Sequence, residues 1–465
     1  MSSQARPYLF YWLTYSLCTT CLKNVPAKIL FKNDKVYYQK NCLEHGLHEE
    51  IVSTDIEYFK LCKEYLKPWD MPNKFQTNIN HGCPHDCWLC PDHEQHSCLA
   101  IFEIIDECNM TCPVCFANSK PWLWNAKTME QIDKMLNTLL ESEWEPDLLQ
   151  LSGWEPTLHP QLIEIIQKIK KSPVRHLMLN TNGIRIAEDI DFVKQLEKEK
   201  KWFEVYLQFD SLNSKTITHL RWKDYLDIRM KALENLEKAG ISTTLVCVIQ
   251  KWVNDKEIWE IIIFATKYKC IRWVTFQPVE YVGRLKDKEI KERITLSEIR
   301  QNIIDAENPF TKEDMIPLPC HPENISIWYA IKIWWKIQPI TWMIPKDELL
   351  KWADNTITFE KSDKLKQAFY KLYSLDACSE KTTINLKSML CCLPKIVSPE
   401  LEYNNVFRIV IMSFMDKYDF DLWSIKRSCV HFVEPNWKIY PFETFNMFYR
   451  DKIKAFSGLK DQFRK

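Results

Sequence analysis

Six short apolar runs recur along the middle of the chain, and most are followed by a stretch whose apolar residues repeat at three- and four-residue spacing. Runs at 99–105, 148–151, 176–179, 204–209, 243–249 and 271–276 read as buried strands, being short, continuous and rich in β-branched and aromatic residues. The stretches between them, 129–140, 161–170, 189–198, 224–238 and 256–268, read as amphipathic helices. Alternation of this kind implies a parallel sheet with crossover helices. The expected fold class is therefore α/β, a partial (β/α)6 barrel of TIM type over 95–310. A Cys-rich region, 1–94, precedes it and an α+β region, 311–465, follows. Ligands of such barrels sit at the carboxyl ends of the strands. Polar residues gather there: Ser152 to Glu155, Asn180, Asn182, Gln208, Asp210 and Gln277.

Directly after the first run comes Cys108-Asn109-Met110-Thr111-Cys112-Pro113-Val114-Cys115-Phe116, a C-x3-C-x2-C spacing. Three thiolates hold three irons of a 4Fe-4S cubane, and with no fourth cysteine close by one iron stays open to an exogenous ligand. The run resembles the signature of the radical S-adenosylmethionine (radical SAM) enzymes. That resemblance implies a barrel of the radical SAM kind, with Cys108, Cys112 and Cys115 holding the cluster that reductively cleaves SAM to a 5'-deoxyadenosyl radical. It also implies SAM-side roles for Phe116, Ser152, Gly153, Trp154, Glu155, Asn180, Asn182, Gln208 and Asp210. Of these, Gly153 and Glu155 are expected at the amino end of SAM, where the family carries Gly-Gly-Glu-Pro and this chain has Gly153-Trp154-Glu155-Pro156.

That indole has company. The chain holds 19 Trp and 7 Gly, whereas average usage predicts roughly 30 Gly at this length. Trp69, Trp202, Trp222, Trp252 and Trp437 stand where turn logic asks for glycine. Together with Trp88 and Trp154 they suggest a gene in which UGA encodes glycine, as in some bacterial lineages, translated here as tryptophan. Trp154 would then replace the second glycine of the SAM loop.

The remaining cysteines suggest further metals. Cys18 and Cys21, then Cys42 and His45 after a hairpin-like stretch at Asn33-Asp34, supply tetrahedral ligands for a mononuclear zinc or iron. Either His45 or Cys62 could be the fourth. Cys83, Cys87 and Cys90 repeat the C-x3-C-x2-C spacing, and Cys98 offers the fourth thiolate of a closed auxiliary 4Fe-4S cluster. Cys320, Cys429 and one of Cys391 or Cys392 form another cluster or pack as buried thiols; Cys378 is also available.

Sixty-two basic and 62 acidic side chains cancel, so nucleic acid is not an expected partner. No run reaches the length of a transmembrane span; the nearest, 325–344, carries Lys332 and Lys336 and reads either as a partly apolar surface patch or as an ordinary buried element. The cysteine spacings and the absence of an apolar leader after Met1 point to a reducing compartment, hence a cytoplasmic protein or one peripheral to the membrane.

Taken together, Cys18-x2-Cys21, Cys42-x2-His45, the segment Gly82 to His93, the radical-site run and Ser152 to Pro160 resemble the archaeal tetraether lipid synthases and their bacterial relatives. The likeness continues through Tyr206 to Asp210, Asn254-Asp255, Gln277-Pro278, Val430-His431 and Pro441-Phe442. It implies an enzyme that functionalises an unactivated carbon, lipid carbon-carbon coupling first, with an electron donor such as ferredoxin or flavodoxin. A relative acting as a radical SAM methyltransferase on a pterin gives the second expectation. A non-catalytic iron-sulfur electron-transfer protein is the third.

Overall fold

The computed structural model describes residues 6–452 apart from 358–405 and short breaks at 66, 68–69, 120, 122–124, 287, 289–291, 334–335, 343–345 and 353–354. Trp69, Cys378, Cys391 and Cys392 lie outside the described residues.

Strands β1 (Leu9–Leu17), β2 (Asn24–Lys32), β3 (Lys35–Cys42) and β4 (Gly46–Ser53) form an antiparallel sheet in sequence order. The β2–β3 turn places Asn33 and Asp34 at φ of 51° and 57°, the left-handed pair that a two-residue hairpin loop needs. Helix α1 (Ile56–Glu64) follows, its first turn capped by Asp55, which accepts from Tyr58 N at 2.9 Å. Buried Asp421 ties this unit to the body by accepting from Tyr38 Oη at 2.9 Å and Thr14 Oγ1 at 3.2 Å.

The central barrel alternates β5 (Leu99–Glu103), α2 (Met129–Glu143), β6 (Leu148–Ser152), α3 (Leu162–Lys170), β7 (His176–Thr181), α4 (Ile184–Glu188), α5 (Ile190–Lys198) and β8 (Phe203–Gln208). It continues with α6 (Ser214–Arg221), α7 (Leu226–Ala239), β9 (Ser242–Ile249), α8 (Ile258–Thr266), β10 (Ile271–Pro278) and α9 (Leu296–Ile304). Strands β5 to β10 pair in parallel and in order. Every residue of β5 and β6 is buried, which is why these strands are continuously apolar rather than alternating.

The chain after residue 310 adds β11 (Met315–Pro317), β12 (Ile325–Ile333), β13 (Lys336–Pro339), β14 (Val406–Met412), β15 (Val430–Glu434) and β16 (Lys438–Pro441). Strand β14 joins β10 in parallel and β15 joins β5 in parallel, so the expected half-barrel is lengthened at both edges within a sheet of 12 strands among the described residues. Within the 325–344 segment, β12 is a buried strand and not a surface patch. Strand β12 pairs with β14, Trp328 is wholly buried, and Lys332 Nζ reaches inward to Tyr268 O at 2.6 Å and Ile271 O at 2.9 Å. Satisfying the ammonium on two carbonyls lets a lysine sit inside a sheet.

Trp202, Trp222, Trp252 and Trp437 adopt φ of 57°, 71°, 65° and 65°, and Trp144 joins them at 50°. Trp222 ends α6 in the left-handed conformation just as Gly240 ends α7. Trp88 differs: its ring packs edge-on against Tyr440 and Tyr449 at 5.9 and 6.0 Å.

Candidate active site and metal centres

At the carboxyl end of β5 the chain turns into the loop bearing Cys108, Cys112 and Cys115. Two glycines bring other backbone against it. At Gly153 (φ 119°) a Cβ would lie 2.5 Å from Ile105 O, so the loop after β6 can press onto the cysteine loop only without a side chain. Trp154 N then donates to Ile105 O at 3.1 Å and Glu155 N to Glu107 O at 2.9 Å. At Gly283 a Cβ would overlap Phe116 O and Cys115 O. The next residue clamps the loop, Arg284 N donating to Cys115 O at 3.0 Å and its guanidinium to Cys112 O and Ser119 O.

Beneath the three thiols lies a cavity of about 170 Å³, lined among others by Ser152, Gly153, Asn180, Gln208 and Gln277 from successive strand ends. Phe116, Trp154, Glu155 and Asn182 line it too, so eleven of the twelve residues expected on sequence grounds around the cluster converge. Asp210 is the exception. It is fully buried behind the wall, paired with Arg221 at 2.7 and 2.6 Å and with Arg229 at 3.0 Å. Arg221 lines the cavity in its stead and stands beside Cys112. Burial pushes the Cys112 thiol up, and the Arg221 charge opposes that rise. Arg221 and Glu280, another lining residue, were not singled out by sequence; a helical arginine ordinarily reads as solvated.

Glu155 holds the loops together. Its carboxylate accepts from Thr157 Oγ1 at 2.6 Å, Thr181 Oγ1 at 2.7 Å and Asn182 N at 2.8 Å. Asn182 in turn reaches Asn109 Oδ1 at 2.7 Å inside the cysteine run. The Trp154 indole packs with Cys108, Met110 and Cys112.

In the N-terminal sheet, ligand atoms of Cys18, Cys21, Cys42 and His45 all lie within 4.8 Å of one another. Cys21 Sγ to Cys42 Sγ is 3.9 Å and Cys42 Sγ to His45 Nδ1 is 3.5 Å. A tetrahedral ion with bonds of about 2.3 Å to sulfur sets edges near 3.8 Å, so the donors fit a single zinc or iron. His45, rather than Cys62, completes this group of four. Cys62 is buried beside Tyr58 elsewhere, its thiol pushed up to about 12 by burial.

Cys98 does not join Cys83, Cys87 and Cys90. It gathers with Cys320 and Cys429 in a wholly buried group whose sulfur atoms lie within 4.8 Å, Cys320 and Cys429 being 3.5 Å apart. The β5–β15 pairing dictates this, because Leu99 N donates to Cys429 O at 3.1 Å and sets the preceding cysteine beside it. His93 instead lines the small cavity shared by Cys83, Cys87 and Cys90. Among the described residues, therefore, a second cysteine group sits at the amino end of β5, the opposite end of the barrel from Cys108.

A parallel barrel with an open three-cysteine loop over its carboxyl end defines a radical SAM enzyme. The family model of the radical SAM superfamily matches residues 102–265, and that of the HMPTM N-terminal zinc ribbon domain matches residues 10–54. The chain is 31% identical over 483 aligned residues to the 7,8-dihydro-6-hydroxymethylpterin dimethyltransferase of Methanocaldococcus jannaschii, covering 95% of this chain and 94% of that one. It belongs to that enzyme's family within the radical SAM superfamily. It is also 25% identical over 202 residues to the GTP 3',8-cyclase of Synechocystis, spanning 43% of this chain and 60% of that enzyme. Among solved structures, Streptococcus suis SuiB bound to S-adenosylmethionine overlaps 45% of this chain and 46% of its own, at a TM-score of 0.38 and 19% identity.

The cofactors are a 4Fe-4S cluster and SAM, and the further cysteine groups fit additional metal. No helix among the described residues is long and apolar enough to cross a membrane.

Proposed function

We propose that the chain is a radical SAM methyltransferase acting on a reduced pterin. The observation that carries this reading is the near end-to-end likeness to the pterin dimethyltransferase, zinc ribbon included. That reading displaces lipid carbon-carbon coupling, which no relative compared above supports, and with it the expectation of peripheral membrane contact.

When bound, the cluster and SAM supply a radical able to take hydrogen from an unactivated carbon. The chain's own part is placement. Cys108, Cys112 and Cys115 would ligate the cluster, and the Arg284 clamp holds their loop. Backbone at Gly153 would meet the amino end of SAM; Asn180 and Gln208 at the cavity wall would orient ribose or substrate. Asp210 would act through the arginines it pairs with, Arg221 at the cavity wall and Arg229 behind Gln208. An external one-electron donor such as ferredoxin or flavodoxin completes the reading.

Anaerobic incubation with SAM, dithionite and 7,8-dihydro-6-hydroxymethylpterin should yield a methylated pterin together with S-adenosylhomocysteine and 5'-deoxyadenosine. Cleavage of SAM without a methylated pterin, and with coupled products from lipid extracts instead, would overturn it.

A further inference from the structure

The barrel lumen does not end below the cysteine loop. A second cavity of about 280 Å³ opens at the amino ends of the strands, and Leu99, Gln150, Tyr206 and Met412 line both it and the upper one. In a closed TIM barrel this level is filled by layers of bulky branched side chains. Here it holds charge.

Glu204 of β8 sits on its wall, almost wholly buried. His176 Nε2 lies 3.4 Å from one carboxylate oxygen and Thr244 Oγ1 donates to the other. Burial opposes ionisation, yet His176, Thr244 and the Arg272 charge together hold the carboxyl below its usual range. A carboxylate offers about four acceptor sites, and these two side chains use only part of them. Ser242 Oγ, on the same wall, is buried without a hydrogen-bond partner. Tyr206 and Trp273 add aromatic surface. Buried polar groups that the fold itself leaves unsatisfied mark a place where a ligand completes them.

We infer that this lower cavity seats the 2-amino-4-oxopyrimidine edge of the substrate, the far ring of the bicycle pointing up the lumen toward the cysteine loop. The inference rests on the pterin reading above and adds where, and by which atoms, the pterin is held. An ionised carboxylate accepts two parallel hydrogen bonds from the exocyclic amine and the adjacent ring N–H, a fork that an alkyl chain cannot supply. Guanine bears the same edge, so the site would accept the base of a guanine nucleotide as well.

The lengths agree. At about 3.3 Å per residue, Gln208 stands about 13 Å along the strand from Glu204, less when measured up a tilted barrel. A fused bicycle built of bonds near 1.4 Å reaches about 8 Å from its amine to its far-ring substituent. A pterin anchored at Glu204 thus brings its far ring to the level of Tyr206 and Gln208, where the upper cavity begins.

The test uses the full-length protein with its metals, 7,8-dihydro-6-hydroxymethylpterin, and an analogue lacking the 2-amino group, with binding measured anaerobically by pterin fluorescence. The inference expects Glu204→Gln to weaken pterin binding about ten- to a hundredfold, the worth of a hydrogen bond to a charged group. It also expects the analogue to bind wild type and Glu204→Gln equally weakly, a coincidence that general damage to the fold does not produce. Ser242→Ala, a smaller change, should weaken binding severalfold. If wild type methylates the pterin while Glu204→Gln and Ser242→Ala bind it normally, the lower cavity is excluded and the function stands. If wild type neither binds nor methylates the pterin, both readings fall.

Discussion

Replacing Trp202, Trp222, Trp252 and Trp437 by glycine should stabilise the protein. All four hold left-handed backbone, φ from 57° to 71°, a region where a side chain with Cβ crowds the following carbonyl at a cost of roughly 1–2 kcal/mol. Glycine removes that cost but loses more chain entropy on folding, by about 0.5–1 kcal/mol, leaving a net gain near 1 kcal/mol per site. Little packing is lost in exchange, because the four rings are 58%, 74%, 73% and 49% exposed. Trp252 forfeits an indole hydrogen bond to Glu292 and a contact with Lys251 at 5.7 Å, exposed interactions worth a few tenths of a kcal/mol. Trp222 and Trp252 line one groove, so that pair is measured together. The fourfold variant gains about 3 kcal/mol. With an unfolding entropy of about 2 cal/mol/K per residue, this raises the thermal midpoint by about 3 °C. Differential scanning fluorimetry reads it, with Trp328→Gly, a wholly buried core ring, as the control that should lower the midpoint sharply. A fourfold variant less stable than wild type would refute the backbone argument. In the source organism, peptides spanning these positions should carry the mass of glycine, and UGG codons there would remove that explanation.

Gly283→Ala forces a methyl onto Phe116 O and Cys115 O, so the cysteine loop shifts and reconstituted protein should lose most of its 5'-deoxyadenosine production with little change in zinc content. Trp154→Gly should tighten SAM binding in equilibrium dialysis, by clearing the indole packed on Cys108 and Cys112; unchanged affinity would show that the ring does not obstruct the site. His45→Ala should cost one equivalent of tightly bound metal by elemental analysis while leaving the iron of the barrel intact, since its partners among the described residues are Cys18, Cys21 and Cys42. Burial lowers the Lys332 pKa to about 8 from 10.5, so between those values the unfolded chain binds more protons and stability rises with pH. Any advantage of Lys332→Met over wild type should therefore shrink by about 3 kcal/mol from pH 7 to pH 10.5 in denaturant titrations.

The strands of the barrel were readable because burial on both faces writes itself as an unbroken apolar run, as at Leu148–Ser152. The cysteine loop was readable because three ligands of one cluster are local in sequence. What escaped reading depends on pairing across long separations. Val406–Met412 looks no different from any other strand, and nothing local says that it lies beside β10. Cys98 stands eight residues after Cys90, yet the hydrogen bond from Leu99 N to Cys429 O assigns it to the opposite group. Asp210 follows the same logic: at a strand end it reads as a ligand contact, but Arg221 and Arg229, both buried on helices, turn inward to meet it. An unpaired carboxylate there would be costly and a paired one is not free to bind substrate. The polar residue that reaches the lumen is consequently Arg221, one partner removed from the position the sequence advertises. The same reasoning separates Glu155 from Glu204. The first spends its oxygens on Thr157, Thr181 and Asn182, all within the loops it joins. The second has an imidazole, one hydroxyl and the nearby Arg272 charge for company and a cavity in front of it. Two buried glutamates on one barrel thus divide into a brace and a receptor by counting the acceptors each has left.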